Sequence, residues 1–346
     1  MPDKNELRLG TRGSQLALWQ ANRVASEIAA RGGPTPRIVV IKTSGDRLQD
    51  APLSEVGGKR LFVKEIEDAL QRGEIDLAVH SSKDMPAVLP DGLAIGGVLP
   101  REDPRDAVVL PVRLKADTTP DVVSAPDVVS GFSRTVDTLE DLVALLGRSP
   151  SIGTGSVRRI AQLSRLFPGA RFTPIRGNLD TRLRKLDAGE HDALVLAAAG
   201  LIRLGFASRI TFTLPARACV PAPGQGIVAV EIREDDDTTR RVVSAIDDCD
   251  ASAALRAERA LVEALGGGCQ TPVGALASNA GGDELELVAA VVSLDGARAV
   301  QAHGRSRRAE AADLGRRIAS ELVARGAADI LAEAQRVPGA VQGLQP

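Results

Sequence analysis

Short apolar runs alternate with amphipathic helical segments twice along this 346-residue chain, and that alternation restricts the fold more than any other feature. Leu7–Gly10 reads as a strand, and Ser14 can cap a helix whose Ala17, Ala21, Val24, Ala25 and Ile28 share one face. Ile38–Ile41 is a second strand. Phe62, Ile66, Ala69 and Leu70 mark a second helix stopped by Gly73, and Ile75–Val79 is a third strand, apolar but for Asp76. The unit recurs from Ser151: a strand to Gly153, a helix aligning Ile160, Leu163 and Phe167, and a strand over 171–175. A helix over 181–188 and a strand over 193–197, with a turn at Gly200, complete it. Strands joined by crossover helices predict doubly wound, mostly parallel sheets. The length is too great for one core and predicts two or three domains.

After Ala251 the pattern changes. A helix over 255–265 precedes a strand over 285–294, a turn at Asp295-Gly296, a return strand over 298–303, and a helix with Leu314, Ile318 and Leu322 on one face. This predicts a smaller α+β domain. Two Pro/Gly-rich stretches, 99–104 and 220–226, read as interdomain crossings. Residues 111–137, with Pro-Asp-Val-Val-Ser twice, read as an exposed insertion.

Composition excludes several classes. Net charge is −2, with one Trp and no Tyr, which argues against a nucleic-acid face. The start of the sequence lacks a signal-peptide apolar core and no run is long enough for a bilayer, so a cytoplasmic location is expected. His80, His191 and His303 are far apart, giving no metal-ligand spacing. Three cysteines, 219, 249 and 269, leave one unpaired and fit a reducing compartment. Charge is uneven: Ser151–Ile210 holds ten Lys/Arg against four Asp/Glu. A basic region inside a near-neutral chain predicts an anion pocket.

Ligands of doubly wound sheets bind beyond strand carboxyl ends, where helix N-termini favour anions. Thr11-Arg12-Gly13-Ser14, Ser81–Asp84, Thr154–Arg159 and Arg176-Gly177-Asn178 fall at such ends. Arg158 and Arg159 occupy a helix's first turn, where the dipole disfavours cations; a bound anion is the simplest reason for them. Asp84 is the best acid/base candidate. Cys269 lies in Gly266-Gly267-Gly268-Cys269-Gln270-Thr271-Pro272, a run that cannot continue a helix or strand, so its thiol sits on a loop. An incidental loop cysteine and a reactive or covalently loaded sulfur are both compatible with that position.

Taken in order, the motifs resemble the porphobilinogen deaminase (hydroxymethylbilane synthase) family. They include Thr11–Gln20, Val56–Lys59, Leu61–Glu65, Ala78–Pro86, Arg101–Ala107, Gly153–Arg159, Ile175–Asn178, Thr181–Leu183, Ala199–Leu201, Pro223–Gly226 and Gly267–Pro272. The resemblance implies two α/β domains like periplasmic binding proteins, joined by hinge crossings, with a smaller α+β domain carrying the cysteine. The expected division is 1–100 with 226–246, then 104–221, then 248–346. It also implies a dipyrromethane cofactor on Cys269, four porphobilinogen molecules condensed stepwise with loss of ammonia, and hydrolytic release of hydroxymethylbilane by a monomer. Asp84 would be catalytic. Arg12, Ser14, Ser81, Lys83, Thr154, Ser156, Arg158, Arg159, Arg176, Arg182, Arg203 and Gln225 would hold the acidic side chains of cofactor and substrate. Lys59 and Phe62 would belong to a flexible loop. The chain departs from the family at Glu55, Arg60, Gly155 and the 111–137 insertion, none of which is Cys269 or Asp84. A non-catalytic two-lobed anion-binding protein is the alternative; it explains the arginines and gives Cys269 no role.

Overall fold

The computed structural model of the chain describes residues 6–43, 63–112, 136–267 and 271–336. Lys59, Phe62, Cys269 and nearly all of the expected insertion lie outside these residues.

The first sheet runs β2-β1-β3-β10-β4, with β1 Arg8–Thr11, β2 Arg37–Val40, β3 Leu77–Ser81, β4 Leu93–Val98 and β10 Val228–Arg233. The second runs β7-β6-β8-β5-β9, with β5 Asp106–Val109, β6 Ser151–Gly153, β7 Arg171–Thr173, β8 Ala193–Ala197 and β9 Phe212–Thr213. Each has a parallel half and one antiparallel strand: β10 runs against β3 and β4, and β5 against β8 and β9. Both antiparallel strands arrive directly from a crossing between lobes, so each lobe completes its sheet with chain returning from the other. The mostly parallel reading holds, with one antiparallel strand in each sheet. β5 and β10 are buried on both faces, so their sequences carry no alternation that would reveal direction.

Helices cover both faces of each sheet, as doubly wound lobes require. In lobe 1, Leu9, Leu77, Val79 and Val230 pack with Val24 and Ile28 of the helix Gln15–Ala30. On the opposite face Ala78 packs with Ile66 and Leu70 of the helix Lys64–Gln71. In lobe 2 the alternation within β8 is explicit: Leu194 and Leu196 enter one core, Ala193 and Val195 the other.

The third unit is an antiparallel meander of β11 Val273–Gly281, β12 Glu284–Val292 and β13 Ala299–Arg307. It is backed by the helices Cys249–Ala264, Ala311–Ala324 and Ala327–Arg336. The sequence reading lacked β11 and the last helix, and began the first helix six residues late; Asp248 caps it through the Ala251 N–H. This unit packs on both lobes. Ala251 and Leu255 join Met85 and Ile227, while Ala290 and Val292 join Ala161 and Val220.

The two crossings touch. The Glu102 N–H donates to the Gly226 carbonyl at 3.0 Å. Gly226 has φ +87°, and a Cβ there would lie 2.3 Å from the Glu102 carbonyl oxygen, so only glycine permits this approach. Gly224, φ +74°, is held likewise against Ser82, whose Oγ would lie 2.5 Å from an added Cβ. The Pro-Gly-rich second crossing thus lies directly against the turn carrying Asp84. Gly200, expected as a turn, lies inside the helix Ala198–Arg203, where it faces Leu16 of lobe 1.

Candidate active site

β3 ends at Ser81 and the chain tightens into a single 3-10 turn, Ser82–Asp84. Pro86 follows and stops the turn from becoming a helix. Behind it, His80 Nε2 lies 3.1 Å from Glu231 Oε2, both side chains buried between β3 and β10. Ser81 Oγ accepts from Gln20 Nε2 at 2.9 Å, tying the strand end to the first helix. Asp84 is left exposed at the tip.

Cations surround this turn. Lys83 keeps some exposed surface, but its ammonium is desolvated, and burial pulls it down to about 8. Arg159 and Arg158 push the same way; Asp84 and Asp106 resist. Burial also lowers Arg182, again with Arg159 adding and Asp84 opposing. Asp84, Lys83, Arg158, Arg159 and Arg182 therefore share one electrostatic neighbourhood drawn from both lobes.

Arg158 and Arg159 begin the helix Val157–Leu166, whose cap is Ser156. They are 3% and 8% exposed, too buried to be solvated surface arginines. The anion facing them is internal. Asp106, fully buried, accepts Arg158 Nη1 at 2.7 Å and Nη2 at 3.2 Å, and Arg159 Nε at 3.0 Å and Nη2 at 2.8 Å. Gln225 Nε2 donates to the same carboxylate at 2.9 Å and to the Pro104 carbonyl at 2.7 Å. Burial by itself would raise the Asp106 carboxyl; the two guanidiniums overrule it and hold it far below the usual range. Burial pushes the neighbouring Cys219 thiol up to about 12, and Asp106 adds to the rise.

A cavity opens beside this cluster, lined by Ser82, Lys83, Ser156, Arg158, Arg259 and Thr271, with apolar wall from Met85, Leu255 and Val262. Two buried polar atoms on its lining, Ser82 Oγ and Arg158 Nε, have no hydrogen-bond partner among the described residues. A cationic wall with unspent donors and an apolar floor fits a flat ring bearing carboxylate arms. Thr271 follows the stretch that holds Cys269, which itself lies outside the described residues.

The other expected ligands are distributed. Ser14 and Ser156 cap helices, accepting from Ala17 N and Arg159 N. Thr154 is buried and accepts from Ser156 N at 3.3 Å. Arg182 Nε donates to the Gly177 carbonyl at 2.9 Å. Arg12 stands just past β1, and Arg176 just ahead of the cap Asn178. Arg203 donates to the Gly226 carbonyl at 2.7 Å and lies over the Trp19 ring.

Sequence reasoning missed Asp106, Glu258 and Arg101. Glu258, fully buried, accepts Arg101 Nη1 at 2.6 Å, Gly224 N at 2.6 Å and Ala277 N at 2.7 Å. Arg101 Nε also donates to the Gln225 carbonyl at 2.9 Å. One carboxylate thereby joins both crossings to the third unit. Arg101 and Asp106 did sit in a quoted motif, which was the available signal.

Family models agree with this architecture. The porphobilinogen deaminase dipyromethane cofactor binding domain matches residues 7–241, and the porphobilinogen deaminase C-terminal domain matches 253–324. The chain belongs to the porphobilinogen deaminase family. It is 44% identical to the porphobilinogen deaminase of Geobacter metallireducens over 329 residues, 95% of this chain and 94% of that one. It is 42% identical to that of Acidithiobacillus ferrooxidans over 328 residues, 94% and 97% of the two chains. Among solved structures, a TRAP periplasmic solute binding protein from Ralstonia eutropha H16 covers 98% of this chain and 99% of its own at 12% identity. Its TM-score of 0.37 is too low to bear on the site. The cofactor named by the family model is dipyrromethane, and the cavity lining described above suits it. Among the described residues no helix is long and apolar enough to cross a membrane.

Proposed function

We propose that this porphobilinogen deaminase condenses four porphobilinogen molecules head to tail, releasing one ammonia at each addition, and frees hydroxymethylbilane by hydrolysis. The observation that carries the reading is the convergence of an exposed carboxylate, Asp84, with Lys83, Arg158, Arg159 and Arg182 between the two lobes. Its alternative, a non-catalytic anion binder, gives no role to an exposed carboxylate inside a cationic cleft.

Dipyrromethane, held through Cys269, supplies the growing end when bound. Ser82, Lys83, Ser156 and Arg158 hold its acidic arms in the cavity they line. Arg12, Ser14, Ser81, Thr154, Arg159, Arg176, Arg182, Arg203 and Gln225 bind or position the arms of incoming and added rings. Lys59 and Phe62 would belong to the flexible loop that the family resemblance implies. Charge-assisted hydrogen bonds of this kind contribute roughly 1.5–3 kcal/mol each. The Asp84 carboxylate faces the positive charge that develops on porphobilinogen as its carbon–nitrogen bond breaks and ammonia leaves. An Asp84 oxygen then takes the proton lost once the carbon–carbon bond has formed.

The two lobes, at 1–100 with 226–246 and at 104–221, move on their crossings as the product lengthens, with 248–346 as the cofactor-bearing domain. The near-neutral charge supports a small-molecule partner rather than nucleic acid, and the chain acts as a cytoplasmic monomer. Intact-mass measurement tests the reading: the purified protein should carry a covalent adduct on Cys269. Asp84→Ala should keep the adduct and lose turnover by roughly 10³-fold or more. An unmodified Cys269→Ala protein with full turnover sinks the proposal.

A further inference from the structure

Asp106 begins β5 and is fully buried, yet six donor atoms from four side chains on two segments converge on it. They are Arg158 and Arg159 with two bonds each, Gln225 Nε2, and the Cys219 thiol at 3.4 Å. Both arginines occupy the first turn of their helix, where the macrodipole repels cations. A substrate carboxylate offsets that repulsion only while bound; Asp106 does so in every state.

The charged groups near Lys83 come from each element packed around it. Asp84 shares its turn, Arg158 and Arg159 come from the helix Val157–Leu166, and Asp106 comes from β5. Arg182, within reach of Asp84 and Arg159, comes from the helix Leu179–Asp187, and Arg259 lines the same cavity from the third unit. Cys219 is protonated and adds no charge at neutral pH. Asp84 is exposed and is the nearer anion acting on Lys83; Asp106 is the buried one, fixed by its hydrogen bonds to both arginines.

We propose that Asp106 is a positioning residue that sets the alkaline limit of the cleft: by facing Arg158 and Arg159 it keeps Lys83 an ammonium able to hold an acidic arm. The proposal rests on the functional reading above for the ligand's chemistry, but the charge relationship stands on this chain's own residues. Burial pulls the Lys83 ammonium down to about 8, and the two arginines push the same way. Neutralising Asp106 removes the carboxylate bonded to both arginines and leaves Asp84 alone to oppose them at Lys83.

Two readouts test this on the full chain carrying its cofactor. The first is kcat/KM against pH for the wild type, Asp106→Asn, Asp106→Glu and Lys83→Arg. The second is the titration of 13C-dimethylated Lys83, assigned by its absence in Lys83→Arg. Wild-type activity should fall through about pH 8. In Asp106→Asn both the limb and the Lys83 titration should move down by about one pH unit, with KM raised more than kcat is lowered. Asp106→Glu should leave both where the wild type has them even if its activity is lower, because it keeps the charge. Lys83→Arg should lack the limb. The proposal is overturned if Asp106→Asn titrates like the wild type, if Asp106→Glu shifts as far, or if Lys83→Arg keeps the limb. Should Asp106→Asn not fold, Asp106→Glu and Lys83→Arg decide. Should the wild type not turn over porphobilinogen, the functional reading fails and the Lys83 titration still decides this inference.

Discussion

Arg203 of lobe 2 places its guanidinium carbon 5.6 Å from the ring centroid of Trp19 in lobe 1. Burial lowers the Arg203 guanidinium from its ordinary value, with Glu102 opposing. The same side chain bonds the Gly226 carbonyl, so lobe 2 is fastened to both a lobe 1 helix and a crossing. A partly desolvated cation–π contact contributes about 1–2 kcal/mol, enough to bias lobe separation without preventing it. Trp19 is the one tryptophan of the chain, so its emission reports this contact directly. Arg203→Gln should change that emission measurably, and porphobilinogen should alter it in the wild type as the lobes part. Identical spectra for Arg203→Gln and wild type would mean that the contact does not persist in solution.

The junction at Glu258 predicts a larger effect. Its carboxylate is fully buried and its cationic partner, Arg101, has a side chain 12% exposed. Removing one member of such a pair leaves the other charged and buried, at a cost of about 3–5 kcal/mol. Glu258→Leu should therefore lose about that much stability in urea. Arg101→Met with Glu258→Leu should recover part of it, a coupling that a double-mutant cycle measures. Strictly additive losses would show that the two charges do not interact.

Which parts of this were legible follows from how local each signal is. β8 was read with its observed bounds because an apolar Leu/Val run that starts just after Asp192 needs no long-range information. Ser14, at the start of the first helix, is a cap by the same local logic. Asp106 was not legible: its arginine partners lie 52 and 53 residues away and Gln225 lies 119 away. Gly200 misled because glycine breaks helices by propensity, whereas here it sits within a helix packed beside Leu16 of the other lobe. The arginine pair was recognised as needing an anion, but periodicity cannot tell an internal carboxylate from a ligand's.

The crossings supply a backbone prediction. Gly226→Ala places a methyl against the Glu102 carbonyl at a φ of +87°, where L-residues are strained. The clash is with backbone, which cannot swing aside. Gly226→Ala should lose more than about 1 kcal/mol of stability and also slow turnover, since Gln225 and the Arg203 contact sit on the same segment. Gly32→Ala is the control: its φ is +79° but an added Cβ meets nothing within 4 Å. It should lose stability without a specific loss of turnover. Equal turnover losses in the two variants would remove the crossing from the argument.

Cys219 gives the pH dependence of stability its sign. Its folded thiol is raised to about 12, above an unfolded value near 8.5. Above that unfolded value the unfolded chain has released a proton the folded chain still holds, so stability falls as pH rises. The contribution is fully present below about pH 8.5 and is lost progressively toward 12. Lys83 acts oppositely: its folded value of about 8 lies below an unfolded value near 10.4, so folding gains stability through that window. The two effects mask each other in the wild type over about pH 8.5–10.4. Comparing wild type with Cys219→Ala separates them. Urea unfolding at pH 7 and at pH 10.5 should show the wild type losing more stability between the two than the variant does. A parallel decline in both proteins would mean that the Cys219 thiol ionises as readily folded as unfolded, and that Asp106 does not press on it.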